Sequence, residues 1–205
     1  VLFLDELPEF SRKVLDVLRE PLESGRIVIS RANRSITYPA RFQLIAAMNP
    51  CPCGYFGDPA GRCHCTQEQI RRYQGQTSGP LLDRIDLHVE VPPIATALLQ
   101  QAPAGESSAA VQQRVMAAQA LQQQRQGCAN AELSPTQREQ VCVLHEEDQH
   151  WLLAAIERLQ LSARGYHRLL NIARTIADLD AQPAIGRVHL LEALGYRTLD
   201  RYRQG

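Results

Sequence analysis

The chain opens on a short, uninterrupted apolar run, residues 1–4, that stops at two carboxylates, Asp5 and Glu6. A run this short with no polar alternation predicts a strand buried in a parallel sheet, with both acids at its carboxyl end. Val14, Leu15, Val17, Leu18 and Leu22 then recur at helical spacing before Gly25. They predict a helix over about residues 11–23, packed on the sheet and closed by the glycine. Two β-prone segments, IVIS (27–30) and SITYPA (35–40), flank the polar RANR and predict a hairpin. FQLIAAMN (42–49) reads as a second buried strand that delivers Asn49 to its end. The stretch NPCPCGYFGDPAGRCHC (49–65) is too rich in Pro, Gly and Cys for regular structure and is expected to be a loop. Residues 66–74 look helical, and SGPLLDRIDLHVEVP (78–92) is expected to return to a strand after a short turn, ended by Pro92 and Pro93.

Beyond residue 93 the pattern changes. Residues 94–127 are dominated by Ala and Gln, with a loose APAGESS followed by strong helix formers over 108–126. Further helical windows cover 134–142, 147–159, 162–179 and 187–196, with Ser162 and Gly186 near boundaries. The expected organisation is an α/β part (1–93) containing the Cys-rich loop 49–65, a linker and helix (94–130), and an all-helical C-terminal domain (131–205). No internal repeat is apparent at a period of roughly 20 to 50 residues.

Composition narrows the class. At 205 residues and 44% hydrophobic content the chain can bury one large core or two small ones. No apolar run reaches the roughly 18 residues that span a bilayer, and the first ten residues carry acids where a signal peptide carries basic residues. A cytoplasmic protein with no membrane partner is expected. The chain starts in mid-strand without Met, which reads as a cut inside a longer protein. Formal net charge is zero, yet Lys13 is the only lysine and the other basic residues are arginines, the side chain suited to planar phosphate contacts. Four of the six cysteines fall within fifteen residues, and without an export signal a metal site is the better reading than disulfides.

Several constellations carry chemistry. An apolar strand ending in Asp5-Glu6 is what a Walker B strand requires: one carboxylate for the shell of a bound Mg²⁺, the other to orient an attacking water. By itself the pattern also fits a plain strand end. Asn49, at the corresponding edge of the second strand, can hydrogen-bond a γ-phosphate or that water, the sensor-1 role. Arg84 in LLDRIDLH is placed to act as an arginine finger on a neighbouring subunit's nucleotide, against the plainer alternative of a surface pair with Asp83 or Asp86. Arg164 and Arg168 share a helical face at i and i+4, backed by Leu169, Leu170, Ile172, Ala173 and Ile176; either is a sensor-2 candidate, or both form a solvated basic face. Cys51, Cys53, Cys63 and Cys65, as C-x-C, nine residues, C-x-C, can close a tetrahedral Zn²⁺ shell, with His64 as a substitute ligand. The alternative is free reduced thiols in an ordered turn.

In this order and over this span, VLFLDELPEF, ESGRIVISRA, YPARFQLIAAMNPCPCGYFGDP, SGPLLDRIDLHVEVP, LSARGYHRLLNIARTIADL and EALGYRTLDRYR resemble the Mg-chelatase-like AAA+ ATPases, most closely of the ComM (YifB) type. NPCPCG and SGPLLDRID are the most specific parts. The resemblance implies a truncated AAA+ core of parallel strands with a presensor hairpin, followed by a helical lid. It implies part of a hexameric, ATP-driven DNA motor of the branch-migration helicase type, used when foreign DNA is integrated in natural transformation. The implied roles are Asp5 for Mg²⁺, Glu6 for water activation, Asn49 for sensor 1, Arg84 for the finger in trans and Arg164 for sensor 2, with Arg168 its rival. The hairpin would project toward the ring's channel. From residue 24 to 57 there are four arginines, Arg26, Arg31, Arg34 and Arg41, and no acid, so Arg31 and Arg34 are expected to contact DNA phosphates, against the plainer alternative of a solvent-exposed turn with incidental charge.

Two features depart from the family pattern. Gln74 and Gln76 stand where basic residues are usual between the tyrosine and SGP. No GxxxxGK[ST] occurs, so this chain alone is not expected to hydrolyse ATP, and an exposed apolar patch is expected near residues 1–4. The rival functions are an ATP-driven metal-insertion chaperone of the chelatase kind and a zinc-stabilised interaction module. The set of Asp5, Asn49 and Arg84 speaks against the last.

Overall fold

The computed structural model describes residues 1–31, 34–92 and 105–197. The chain forms two compact units, Val1–Ile85 and Asp86–Gly205. The boundary expected after residue 93, residues 94–104 of the expected 94–130 linker and helix, and the last residues of EALGYRTLDRYR lie outside the described residues.

In the first unit, β1 (Leu2–Leu4) pairs in parallel with β4 (Leu44–Ala46), in the register Leu2 to Leu44, Phe3 to Ile45 and Leu4 to Ala46. A short 3₁₀ turn at Leu7–Glu9 follows β1, with Pro8 in its first turn, where a missing N–H costs nothing. The strand expected to be buried on both faces is covered on one only. Leu4 and Ala46 pack on the core of Leu7, Leu15 and Leu81, together with Leu18, Leu22 and Met48, whereas Phe3 and Ile45 are 59% and 44% exposed. The apolar patch expected near residues 1–4 is present in Val1 and Phe3.

The single helix expected over 11–23 is two: α1 (Arg12–Val17) and α2 (Arg19–Ser24), joined at Leu18. The cause is Pro21. It cannot donate to the Val17 carbonyl and its ring crowds that carbonyl, so the helix restarts with the proline in its first turn. Gly25 then closes α2 in the left-handed region (φ 67°), where an added Cβ would also come within 3.0 Å of the Arg41 side chain.

The hairpin forms as predicted. β2 (Arg26–Arg31) and β3 (Arg34–Pro39) pair antiparallel from Arg26 opposite Pro39 to Arg31 opposite Arg34, and residues 32 and 33 of RANR lie outside the described residues. Every described position of both strands is exposed, so the ribbon stands on neither core. α3 (Gln67–Gln74) starts at a capping box in which Thr66 and Gln69 satisfy each other's backbone amides. α4 (Gly79–Leu82) follows, and buries Leu81 and Leu82.

No strand forms over 85–92, contrary to the expectation for DLHVEV. The period of two is there, with His88 buried between exposed Leu87 and Val89, but the segment joins no ladder: the His88 N–H instead donates to the Tyr196 carbonyl at 2.8 Å.

The second unit is helical: α5 (Ser108–Gln126), α6 (Pro135–Val141), α7 (Glu146–Leu159), α8 (Ala163–Leu179) and α9 (Arg187–Gly195). Side-chain oxygens of Ser107, Ser134 and Ser162 cap α5, α6 and α8, and a left-handed Gly127 ends α5. α8 is the central element. Leu169, Leu170, Ile172, Ala173, Ile176 and Ala177 are buried along it against Leu152, Ile185, Leu190 and Ala193. The same helix also buries Arg174 and Asp178, which are 1% and 3% exposed. Asp178 receives Arg125 at 2.6 and 3.0 Å, Asn130 at 2.8 Å and Arg174 at 3.1 Å, while Arg174 also donates to the carbonyls of Gln182 and Pro183. Among the described residues, no helix is long and apolar enough to cross a membrane.

Candidate active site

At the carboxyl end of the parallel pair the ladder slips by one residue. Ala47 donates to the Leu4 carbonyl at 2.9 Å, as the register requires. A regular parallel ladder would then return the Ala47 carbonyl to the N–H of Glu6. Leu7 takes that place instead, at 2.9 Å, so Asp5 and Glu6 are lifted out as a bulge. Glu6 occupies the left-handed region (φ 51°), a conformation that costs a non-glycine residue about 1 kcal/mol or more. Its displaced N–H donates to the Asp5 carboxylate at 3.0 Å. Both carboxylates are exposed at the strand edge, and Asn49, three residues past β4, is exposed beyond the same edge. A carboxylate pair presented to solvent beside a neutral amide suits a hydrated divalent cation and the phosphates it carries. The donor set therefore fits Mg²⁺-nucleotide.

Two residues of α3, neither of which the sequence linked to Asn49, adjoin it. Gln74 donates to the Pro50 carbonyl at 3.0 Å. Burial pushes the Tyr73 hydroxyl above its ordinary pKa, opposed by a hydrogen bond from the Asn49 backbone and reinforced by the charges of Glu9 and Glu6. The glutamine that departs from the family's basic pattern thus has a local task. Its partner is 24 residues away in sequence, which spacing alone does not disclose.

Arg84 lies one turn beyond α4. Its guanidinium pairs with Glu23 and donates to the Pro80 carbonyl at 2.7 Å, with 12% of the side chain exposed. Glu23 lies near the end of α2, far from Arg84 in sequence, and Asp86 pairs with Arg168, in the second unit. Arg164, one turn earlier on α8, is half-buried. The arginines at the hairpin's end are differently placed. Arg31 and Arg34 sit directly opposite each other, both exposed, with no ion-pair partner among the described residues. Like charges across a strand pair destabilise a ribbon unless an anion lies between or beside them.

The four cysteines of 51–65 converge. Cys51 Sγ is 3.4 Å from Cys53 Sγ and 3.8 Å from Cys63 Sγ, Cys53 and Cys63 are 3.6 Å apart, and all four sulfurs lie within 4.8 Å of one another. These separations are far beyond an S–S bond of about 2.05 Å. They match the ~3.8 Å between sulfurs bound tetrahedrally to one ion at ~2.3 Å. The Cys51-Pro52-Cys53-Gly54 turn is closed by the Gly54 N–H on the Cys51 carbonyl (3.0 Å), with Gly54 at φ 80°, and Phe56 N–H points at Cys51 Sγ (3.3 Å). Backbone hydrogen bonding, chiefly at Tyr55, lowers the Cys53 thiol to about 6, while burial and its neighbours raise Cys65 to about 12. His64 is exposed and turned to the Arg62 carbonyl, so the sulfurs form the set without it. A separate cavity of about 640 Å³ opens in the second unit among Arg125, Gln137, Leu144, His145 and Arg174, and none of the site candidates lines it.

Comparison with known proteins adds context to this geometry. Residues 1–99 match the family described as magnesium chelatase, subunit ChlI, and residues 105–197 match the C-terminal family of the same subunit. The chain is 53% identical to the protein YifB of Escherichia coli over 202 residues, and 50% identical to competence protein ComM of Haemophilus influenzae over 205 residues. It is 40% identical to Rv2897c of Mycobacterium tuberculosis over 201 residues. These alignments cover 98%, 100% and 96% of the chain, but 40%, 40% and 39% of the relatives. The chain thus spans about 40% of the length of the curated relatives it matches.

Proposed function

This chain belongs to the magnesium chelatase ChlI family of AAA+ proteins, and we propose that, in the full-length protein that carries it, it forms part of a hexameric, ATP-driven DNA motor of the branch-migration type. The observation that carries the proposal is the bulged strand end, which presents Asp5 and Glu6 beside Asn49 at one edge of a parallel pair. Alignment of the whole chain with 40% of a competence protein supports DNA as the partner. The protein acts in the cytoplasm, in the integration of foreign DNA by recombination during natural transformation.

In this reading the chain's own residues divide the work. Asp5 holds the water shell of Mg²⁺, which when bound shields phosphate charge. Glu6, freed from the ladder, orients and deprotonates the attacking water, and Asn49 holds that water or the γ-phosphate by its side-chain amide. Arg84 acts across a subunit boundary on developing phosphate charge, exchanging Glu23 for phosphate oxygens when the ring assembles. Arg164, with Arg168 the second candidate, senses the nucleotide from the helical lid. Arg31 and Arg34 meet the DNA backbone, whose phosphates relieve their mutual repulsion without reading sequence. Cys51, Cys53, Cys63 and Cys65 hold one structural Zn²⁺.

The family description favours one rival, an ATPase that remodels a metal-inserting partner. ATP hydrolysis by the full-length protein, with and without DNA, separates the two. Stimulation by DNA supports the motor, and hydrolysis indifferent to DNA supports the rival.

A further inference from the structure

The four-cysteine loop joins two elements that meet at the same strand end. Cys51 follows Asn49 by two positions, and Cys65 directly precedes Thr66, the N-cap of α3. Between them the segment has almost no core of its own: Cys51 is its one buried residue. At the far end of α3 the chain comes back to where the loop began, with Gln74 on the Pro50 carbonyl and Tyr73 against the backbone of Asn49. Loop and helix therefore form a closed circuit that begins and ends on Asn49 and Pro50. The circuit has a hydrogen-bonded latch at one end and the four sulfurs at the other.

We infer that one Zn²⁺ in the four thiols closes this circuit as a clasp, and that the clasp fixes the strand end carrying Asn49. The inference rests on reading the cysteines as a zinc site and adds what that site is for. Four soft thiolates select Zn²⁺ over the Mg²⁺ of the nucleotide edge. The sulfur spacing suits a single ion, because a multi-iron cluster spreads the four thiolates over two or four irons and holds those on different irons farther apart than 4.8 Å. Four protein ligands leave no open position for substrate, so the ion is structural. What it supplies is order. A Gly- and Pro-rich loop with a single buried side chain does not hold a fixed path by packing, and without the ion it does not hold α3 in register with Pro50. Tyr73 and Gln74 are thus positioning residues: they act on Asn49 through its backbone and touch no reacting atom.

The test uses the full-length protein purified under reducing conditions without chelator. Zinc per chain is measured by plasma mass spectrometry, and backbone hydrogen exchange is compared before and after zinc is removed with a chelator and again after it is restored. About one zinc per chain is expected. Its removal should speed exchange at residues 47–49 and 67–74 by at least about tenfold, reversibly, and leave the hairpin strands 26–31 and 34–38 unchanged. Gln74→Ala should keep its zinc and still speed exchange at 47–49, because it opens the latch and not the metal site. A protein with no bound metal overturns the zinc reading and the clasp together. Zinc that is present, but whose removal leaves exchange at 47–49 unchanged, overturns the clasp alone.

Discussion

The two units use charge in opposite ways. In the second, one charged cluster is sealed: Asp178 and Arg174 have side chains 1% and 2% exposed, are bound to each other, and Asp178 also binds Arg125 and Asn130. In the first, Asp5, Glu6 and Asn49 are exposed at a strand edge, and Arg31 faces Arg34 across an exposed ribbon. A buried and fully partnered charge holds a fold in one arrangement, since any disturbance strands a charge in low dielectric. An exposed, strained or self-repelling set does nothing for the fold alone and makes sense against a ligand. The contrast separates residues that build from residues that act, and each kind fails differently when changed.

The largest expected effect is on Arg84, which belongs to both kinds. If it acts across subunits, Arg84→Ala in the assembled full-length protein lowers ATP hydrolysis about 10³-fold. The stability cost stays within about 1 kcal/mol, because its partner Glu23 is 46% exposed. Melting and turnover measured on one preparation decide the matter: a large loss of stability with turnover intact moves Arg84 to the builders. Asp178→Asn should do the reverse. It leaves Arg174 buried without its carboxylate and costs about 3–5 kcal/mol in a denaturant melt. Hydrolysis per folded molecule should hardly change, and a stability loss below about 1 kcal/mol would remove the basis of the comparison.

Acid sharpens the same point. Burial works to raise the Asp178 carboxyl, but hydrogen bonds from Arg125 and Asn130 and the charges of Arg174 and Arg125 outweigh it and hold the group below its ordinary value. The native state therefore keeps this carboxylate ionised to lower pH than the unfolded chain. Its contribution is complete above the unfolded value of about 3.9 and is lost as pH falls through the lowered native one. Unfolding free energy followed from pH 5 downward should drop in the wild type and much less in Asp178→Asn. A smaller effect is expected at the α8 cap, where Ser162 accepts the Gly165 N–H at 3.1 Å. Ser162→Ala should cost about 1 kcal/mol in the same melt, with no change in nucleotide affinity.

The helical unit was the more legible in the sequence. α5 spans the residues predicted for it, and the helical windows that open at 134 and 162 fall within about two residues of the observed starts of α6 and α8. Such signals are local. In the first unit the apolar runs gave the strands, but the break at Leu18 depended on the weight given to Pro21 inside a good helical pattern. The alternation of 86–91 pointed to a strand, yet a strand needs a neighbour, and pattern does not supply one. The site divides the same way. Asp5, Glu6, Asn49 and the four cysteines were visible as motifs, and two C-x-C pairs within fifteen residues pointed to one shared sulfur site. The slip that frees Glu6, the Glu23 partner of Arg84 and the Gln74 latch all join residues far apart in the chain or rest on ladder geometry. Sequence spacing does not encode them.

The most direct test of the central claim is ATP hydrolysis by the full-length protein carrying this chain, with and without single-stranded or branched DNA, beside its Arg31→Ala/Arg34→Ala double variant. The account predicts that DNA strongly stimulates hydrolysis, and that the double variant loses this stimulation while keeping its basal rate and its fold. Hydrolysis indifferent to DNA in the unaltered protein would contradict the motor and leave the metal-insertion ATPase as the better reading.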